Sequence, residues 1–131
     1  MSFFHTEITY ESLAAMLAAT RGPGRDTARK LAHNTYAERR GPGAIAIRFH
    51  ATDILTFHDD GRVVFDCQGW RSVTTKARLN DYGPLRVWSD RGVWYAGGPA
   101  HTGDGPVIYA DGMTFHTTTG AITGDAPRSA L

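Results

Sequence analysis

Three times along this chain a short Asp-Gly turn separates two runs in which apolar and polar residues alternate. Residues 54–58 and 62–67 flank Asp59-Asp60-Gly61, residues 85–89 and 93–97 flank Asp90-Arg91-Gly92, and residues 107–110 and 113–117 flank Asp111-Gly112. Alternation with period two marks a strand with one buried face, and glycine supplies the positive φ that tight hairpin turns require. A chain that repeats this pattern pairs its neighbouring segments antiparallel. The two-residue Asp111-Gly112 turn is the strongest of the three signals. Upstream, Ile45, Ile47 and Phe49 alternate with Ala46, Arg48 and His50, and residues 35–40 precede them across Gly41-Pro42-Gly43.

Helical spacing occupies less of the chain. Residues 9–20 read as a helix: Thr9 caps it, Glu11 suits its first turn, and Leu13, Met16, Leu17 and Thr20 share a face. Gly22-Pro23-Gly24 ends it. A second helix is predicted over 26–32 with Asp26 as cap, an ordered loop being the alternative because so short a helix is marginal alone. A third is predicted over 72–82, capped by Ser72 or Thr74 and stopped by Gly83-Pro84. The expected fold is α+β: an antiparallel sheet or partly open barrel of hairpins with two or three short helices. It forms one domain over residues 1–124, with residues 125–131 as a loose tail. The chain has no glycine-rich strand-to-helix loop and no βαβ alternation, which argues against a parallel nucleotide-binding fold.

Cys67 is the only cysteine, so no intrachain disulfide forms and a zinc finger is excluded. Its alternation with Val63 and Phe65 places it as a small buried side chain on a strand. No apolar run approaches a membrane span, and Met1-Ser2-Phe3-Phe4-His5 lacks the charged start and apolar block of a signal peptide. The expected location is therefore the cytoplasm, with no membrane partner and no cofactor. Net charge is +1, but residues 21–48 carry Arg21, Arg25, Arg29, Lys30, Arg39, Arg40 and Arg48 against only Asp26 and Glu38, a local +5. A basic segment on a near-neutral domain points to an anionic partner.

Three stretches carry a family likeness: Lys30-Leu31-Ala32-His33-Asn34-Thr35-Tyr36, the run from Ala46 through Phe49-His50-Ala51 to Ile54, and Gly69-Trp70-Arg71-Ser72-Val73-Thr74-Thr75-Lys76-Ala77-Arg78-Leu79-Asn80. They resemble a family of small proteins from bacteriophages and prophages of actinobacteria, over roughly residues 30–95. The resemblance implies a mobile-element accessory protein acting inside a bacterial cell and implies no particular chemistry. The N-terminal helix and the last 35 residues lie outside this likeness.

Among the six histidines none has a metal-ligand spacing, and no metal is expected. His50 and His58 fall on neighbouring predicted strands. Meeting on one face, they would suit proton transfer in a metal-independent nuclease; otherwise they are polar strand residues. Ser72, Thr74, Thr75 and Lys76 stand at a helix start, where free N–H groups and the dipole favour a phosphate, or where they simply cap and solvate the helix. Trp70, Trp88, Trp94 and four tyrosines serve either as packed rings or as a stacking surface for bases. Trp94 and Tyr95 are adjacent on one strand and point to opposite faces.

The leading expectation is non-catalytic binding of nucleic acid or a small nucleotide. Its candidate residues are Arg25, Arg29, Lys30, Arg39, Arg40, Arg48, Trp70, Thr74, Thr75, Lys76 and Arg78. The alternatives are a protein–protein module that engages a host factor or joins a virion, and a nuclease built on His50 and His58.

Overall fold

Thr9 starts the first helix through a reciprocal cap. Its Oγ1 accepts the Ser12 N–H at 3.0 Å, while Ser12 Oγ accepts the Thr9 N–H at 2.8 Å. The helix α1 (Tyr10–Ala19) then buries Leu13 and Leu17 completely. The computed structural model describes residues 8–20 and 28–127. The remaining elements are β1 (Ala28–Ala32), β2 (Thr35–Arg39), β3 (Ala44–Phe49), β4 (Thr52–His58), β5 (Arg62–Phe65), α2 (Val73–Tyr82), β6 (Arg86–Asp90), β7 (Val93–Gly97), β8 (Val107–Ile108), β9 (Met113–His116) and β10 (Ala121–Thr123).

All strand pairs are antiparallel, in two sheets. The larger has the order β1-β2-β3-β4-β5-β9-β10, and the smaller has the order β6-β7-β8. The larger sheet stays open, so the fold is an α+β arrangement of antiparallel sheets rather than a closed barrel.

Register explains the core. Ala37, Ile47, Leu55, Phe65 and Met113 are directly opposed across five strands, and all are fully buried. The next inward row is Ile45, Phe57, Val63 and Phe115, continuing to Ile122. Each such side chain contributes about 1.5–3 kcal/mol on burial. Leu13 and Leu17 of α1, Leu79 of α2, and Val87, Trp94 and Ala96 of the smaller sheet join the same cluster, so two sheets and two helices share one core.

Two expectations fail. Residues 28–32 form a strand, not part of a helix over 26–32 (Asp26 lies outside the described residues). The cause is the next two residues: Asn34 takes a left-handed φ of 54°, and the His33-Asn34 turn folds the chain back so that Ala32 opposes Thr35. A ladder of backbone bonds to β2 then outweighs a short helix with little core to bury. The Asp111-Gly112 hairpin also does not form. The turn closes, with the Met113 N–H donating to the Ala110 carbonyl at 3.0 Å, but β8 pairs with β7 and β9 pairs with β5. Its alternation is real, yet its two arms belong to different sheets. The three-residue β10 carries too little pattern to have been expected.

Other segments lie where the sequence puts them. Ser72, not Thr74, caps α2, its Oγ accepting the Thr75 N–H at 3.0 Å, and Gly83 ends it by donating to the Leu79 carbonyl at 2.8 Å. The tail expected over residues 125–131 is not loose at its start, because Ala126 bridges to Ile108 with its N–H donating to the Ile108 carbonyl at 3.0 Å; residues 128–131 lie outside the described residues. Among the described residues no helix is long and apolar enough to cross a membrane.

Candidate functional site

The three stretches singled out in the sequence meet around one groove of about 680 Å³. The β1–β2 turn brings His33 and Asn34, and the β3–β4 turn brings His50, Ala51 and Thr52. The segment entering α2 brings Trp70, Ser72, Thr74, Thr75 and Arg78. The two turns are tied directly, the His50 N–H donating to the Asn34 carbonyl at 2.8 Å. A register shift in the β3–β4 ladder leaves Ile54 as an extra residue between Asp53 and Leu55, and it lines the groove beside Phe49 and Cys67. Bulges re-aim side chains in this way. Three of the four described non-glycine residues with positive φ, Asn34, His50 and Gln68, lie in or beside this groove.

Electrostatics separate it from a second cleft of about 620 Å³ between α1, the β4–β5 turn and the end of α2. That cleft presents Glu11, Asp59, Asp60 and Asp81. The groove presents Arg78, His33 and His50, and none of its described lining residues is a carboxylate. Arg78 bridges it: its Nε donates to Thr35 Oγ1 at 3.1 Å, a guanidinium nitrogen lies 3.3 Å from Asp81, and the guanidinium carbon sits 5.8 Å from the centre of the Phe49 ring. Trp70 is 74% exposed at the rim.

The segment that holds Trp70 is fixed by a residue the sequence reading passed over. Asp111 Oδ1 accepts the Cys67 N–H and the Cys67 thiol, both at 3.1 Å, and Oδ2 accepts the Gly69 N–H at 2.9 Å. Burial acts to raise the Asp111 pKa, but these bonds from Cys67 and Gly69 outweigh it and hold the carboxyl below its usual range. The same surroundings push the Cys67 thiol up to about 11, through burial first and then the neighbouring Asp111. Tyr109 is buried beside them, with its hydroxyl close to Cys67 and Asp111. Burial, and next the proximity of Cys67, raises its pKa far above the ordinary phenol value. An Asp before a Gly reads as turn chemistry, which hid its long-range role.

The basic segment does not converge on the groove. Arg25 lies outside the described residues. Arg29 and Lys30 are exposed on the edge strand β1, and Arg39 is half-buried on β2. Arg40 is held by Asp53 through two bonds of 2.9 Å and by Glu38 at 2.8 Å. Arg48 pairs with Glu38 at 2.6 Å and lies 4.7 Å from the centre of the Tyr36 ring. The hydrogen bond from Arg48 holds the Glu38 carboxyl below its usual range. Two of the seven basic side chains, Arg40 and Arg48, are therefore engaged within the sheet. His50 and His58 do not meet: they flank opposite ends of β4, about 20 Å apart at 3.3 Å per residue. The two-histidine nuclease site is not assembled. Of the expected helix-start residues, Thr74 is exposed and Thr75 is buried with its hydroxyl 2.9 Å from Ser72 Oγ. Lys76 turns away to Ser89 Oγ at 2.9 Å. Trp94 and Tyr95 do face opposite ways, Trp94 buried and Tyr95 stacked on Trp88 at 6.1 Å between ring centres.

The Kyanoviridae Gp96 protein family matches residues 9–116, which is most of the chain. The chain belongs to that phage protein family. The match takes in α1 and β7 to β9, so the helix and most of the C-terminal strands are shared family structure rather than additions to it. Comparison with curated proteins and with solved structures finds no match.

Proposed function

We propose that this phage protein is a non-catalytic accessory factor that acts inside the bacterial host by binding nucleic acid or a nucleotide in the groove at Trp70. One observation carries the reading. Segments distant in sequence place an exposed indole, two imidazoles, an amide, four hydroxyls and a guanidinium around one pocket whose described lining carries no carboxylate. An exposed ring offers a stacking face that every base can use, and Arg78, Asn34 and Thr74 offer donors to oxygen. Arg29 and Lys30 on β1 add long-range attraction.

The absorbance spectrum of protein purified from cells, before and after a high-salt wash, tests this directly. Excess absorbance at 260 nm that salt removes supports the reading. Anisotropy with fluorescein-labelled oligothymidylate at low salt then gives the affinity. Trp70→Ala lowers that affinity by roughly 5- to 150-fold, the equivalent of about 1–3 kcal/mol per stacked base. Absence of binding to oligonucleotide and mononucleotide alike at low salt overturns the proposal. A host-protein partner is the second reading, favoured by Val73 standing 79% exposed three residues beyond Trp70. Co-purification of one host protein that survives nuclease treatment and is lost in Trp70→Ala supports it.

A further inference from the structure

α2 has a second working flank. At 3.6 residues per turn, Thr74, Thr75 and Arg78 share the side that lines the groove, while Lys76 and Asn80 fall on the far side. Asn80 is spent there on β6, bonding both the Val87 N–H and its carbonyl at 2.8 Å. Lys76 and Arg71 instead converge on one ring. The Lys76 Nζ lies 5.7 Å and the Arg71 guanidinium carbon 5.6 Å from the centre of Trp94, and Arg71 is also 5.0 Å from the centre of Tyr109.

Neither cation has an ion-pair partner among the described residues, unlike Arg40, Arg48, Arg62 and Arg78. Asp111, which shares this region with Tyr109, already accepts three hydrogen bonds from Cys67 and Gly69. Ser89, directly opposite Trp94 in the β6–β7 ladder, accepts from Lys76 and keeps its own O–H to donate. A guanidinium, an ammonium and a hydroxyl, neither cation in an ion pair among the described residues, are suited to a phosphate.

We infer that Arg71, Lys76 and Ser89 form a phosphate-contact site over Trp94. The ligand is then a single strand that crosses the N-terminal end of α2, with a base at Trp70 in the groove and backbone phosphate at Arg71 and Lys76. This rests on the groove reading above and goes further by naming a polymer. The two sites stand on opposite flanks of a helix about 10–12 Å across. A mononucleotide held in the groove leaves the cation pair unfilled, whereas a strand reaches both.

Anisotropy titrations with labelled dT4 and dT12, and competition by dTMP, separate the possibilities. The variants are Arg71→Gln/Lys76→Gln and Trp70→Ala, with thermal melts as the folding control. The double variant binds dT12 about tenfold more weakly, and its log–log salt slope is shallower by about 1.4, since each lost phosphate contact on a single strand removes about 0.7. Its affinity for dTMP changes less than twofold, while Trp70→Ala weakens both ligands. Arg71→Gln alone, at an exposed position, gives about half the slope change and serves if the double variant melts early. Unchanged dT12 affinity and slope in the cation variants, with Trp70→Ala still defective, overturns the phosphate site and leaves the groove reading standing. Equal weakening of dTMP and dT12 assigns the cations to the groove ligand and overturns the crossing strand. If the native protein binds none of the three, both readings fall.

Discussion

Replacing Asp111 with alanine removes one carboxylate and three hydrogen bonds at once. The donors left behind are the Cys67 N–H, the Cys67 thiol and the Gly69 N–H. Cys67 is fully buried, so its amide loses its acceptor without gaining water, at a cost of about 1–3 kcal/mol. Gly69 is exposed and its amide re-hydrates, and a thiol is a weak donor, so these two add little. The expected loss is about 2 kcal/mol. For a domain of this size that lowers Tm by about 6–10 °C, measured by circular dichroism at pH 7. Asp111→Asn keeps one acceptor and loses about half as much. A pH series supplies the sign check. The folded-state pKa of Asp111 is depressed, so its contribution is fully present above the unfolded aspartate value near 3.8 and fades as pH falls through the lower folded value. The Tm gap between native and Asp111→Ala protein is therefore constant near neutrality and narrows in acid. A gap below about 2 °C at pH 7, or one that widens on acidification, refutes the account of Asp111 as the clamp on residues 67–69.

Three further outcomes follow from the same structure. Gly120 has φ of 76°, and a Cβ there would stand 2.7 Å from the Ala100 carbonyl oxygen. Gly41 has φ of 96° with nothing within 4 Å. Gly120→Ala therefore costs at least about 2 kcal/mol in urea unfolding and Gly41→Ala about 1 kcal/mol, and equal costs would refute the steric argument. The buried Cys67 thiol, pushed up to about 11, reacts with a disulfide reagent at pH 8 at least 100-fold more slowly in native protein than in urea, and comparable rates would contradict its burial. Glu38→Gln, which loosens both Arg40 and Arg48, destabilises by about 1 kcal/mol at pH 7. The native advantage is lost as pH falls through the depressed Glu38 value, and an unchanged urea midpoint at pH 7 would show these pairs to be energetically neutral.

What the sequence discloses here is local. The Thr9 and Ser72 caps, the Gly83 stop, and the Asp59-Asp60-Gly61 and Asp90-Arg91-Gly92 hairpins all lie where neighbouring residues decide the backbone, and all are observed. Residues 107–117 show the limit. Period-two alternation states that two segments are strands, but not which sheet each one joins, and β8 and β9 part company across a closed turn. Residues 28–32 show the same limit from the other side, because an edge strand facing solvent can carry Arg29 and Lys30 with no apolar face to advertise it. For the site, Trp70, Thr74 and Arg78 were legible from the segment entering α2, and the groove collects them. In the basic segment a count of charges does not reveal that Glu38 and Asp53 hold Arg40 and Arg48.

The two crossings between the sheets explain why the candidate site lies where it does. The chain leaves the larger sheet after Phe65 and enters α2 at Val73, and it returns from β8 at Ile108 to β9 at Met113. Neither crossing has a ladder of its own, so its backbone groups need other partners. The Gly112 N–H donates to the Phe65 carbonyl at 2.7 Å, the Tyr109 N–H to the Trp94 carbonyl at 2.9 Å, and Asp111 serves Cys67 and Gly69. The second crossing thus braces the first through Asp111 and Gly112 and is itself tied to β7 through Tyr109. Trp70 and Arg71 project from one crossing and Tyr109 underlies the other, so an exposed indole and an unpaired guanidinium are carried on backbone fixed at both ends. A lone exposed tryptophan needs no explanation on a protein surface. One held at the mouth of a groove, next to a cation that no ion pair among the described residues neutralises, is the arrangement on which the proposed strand-binding reading rests.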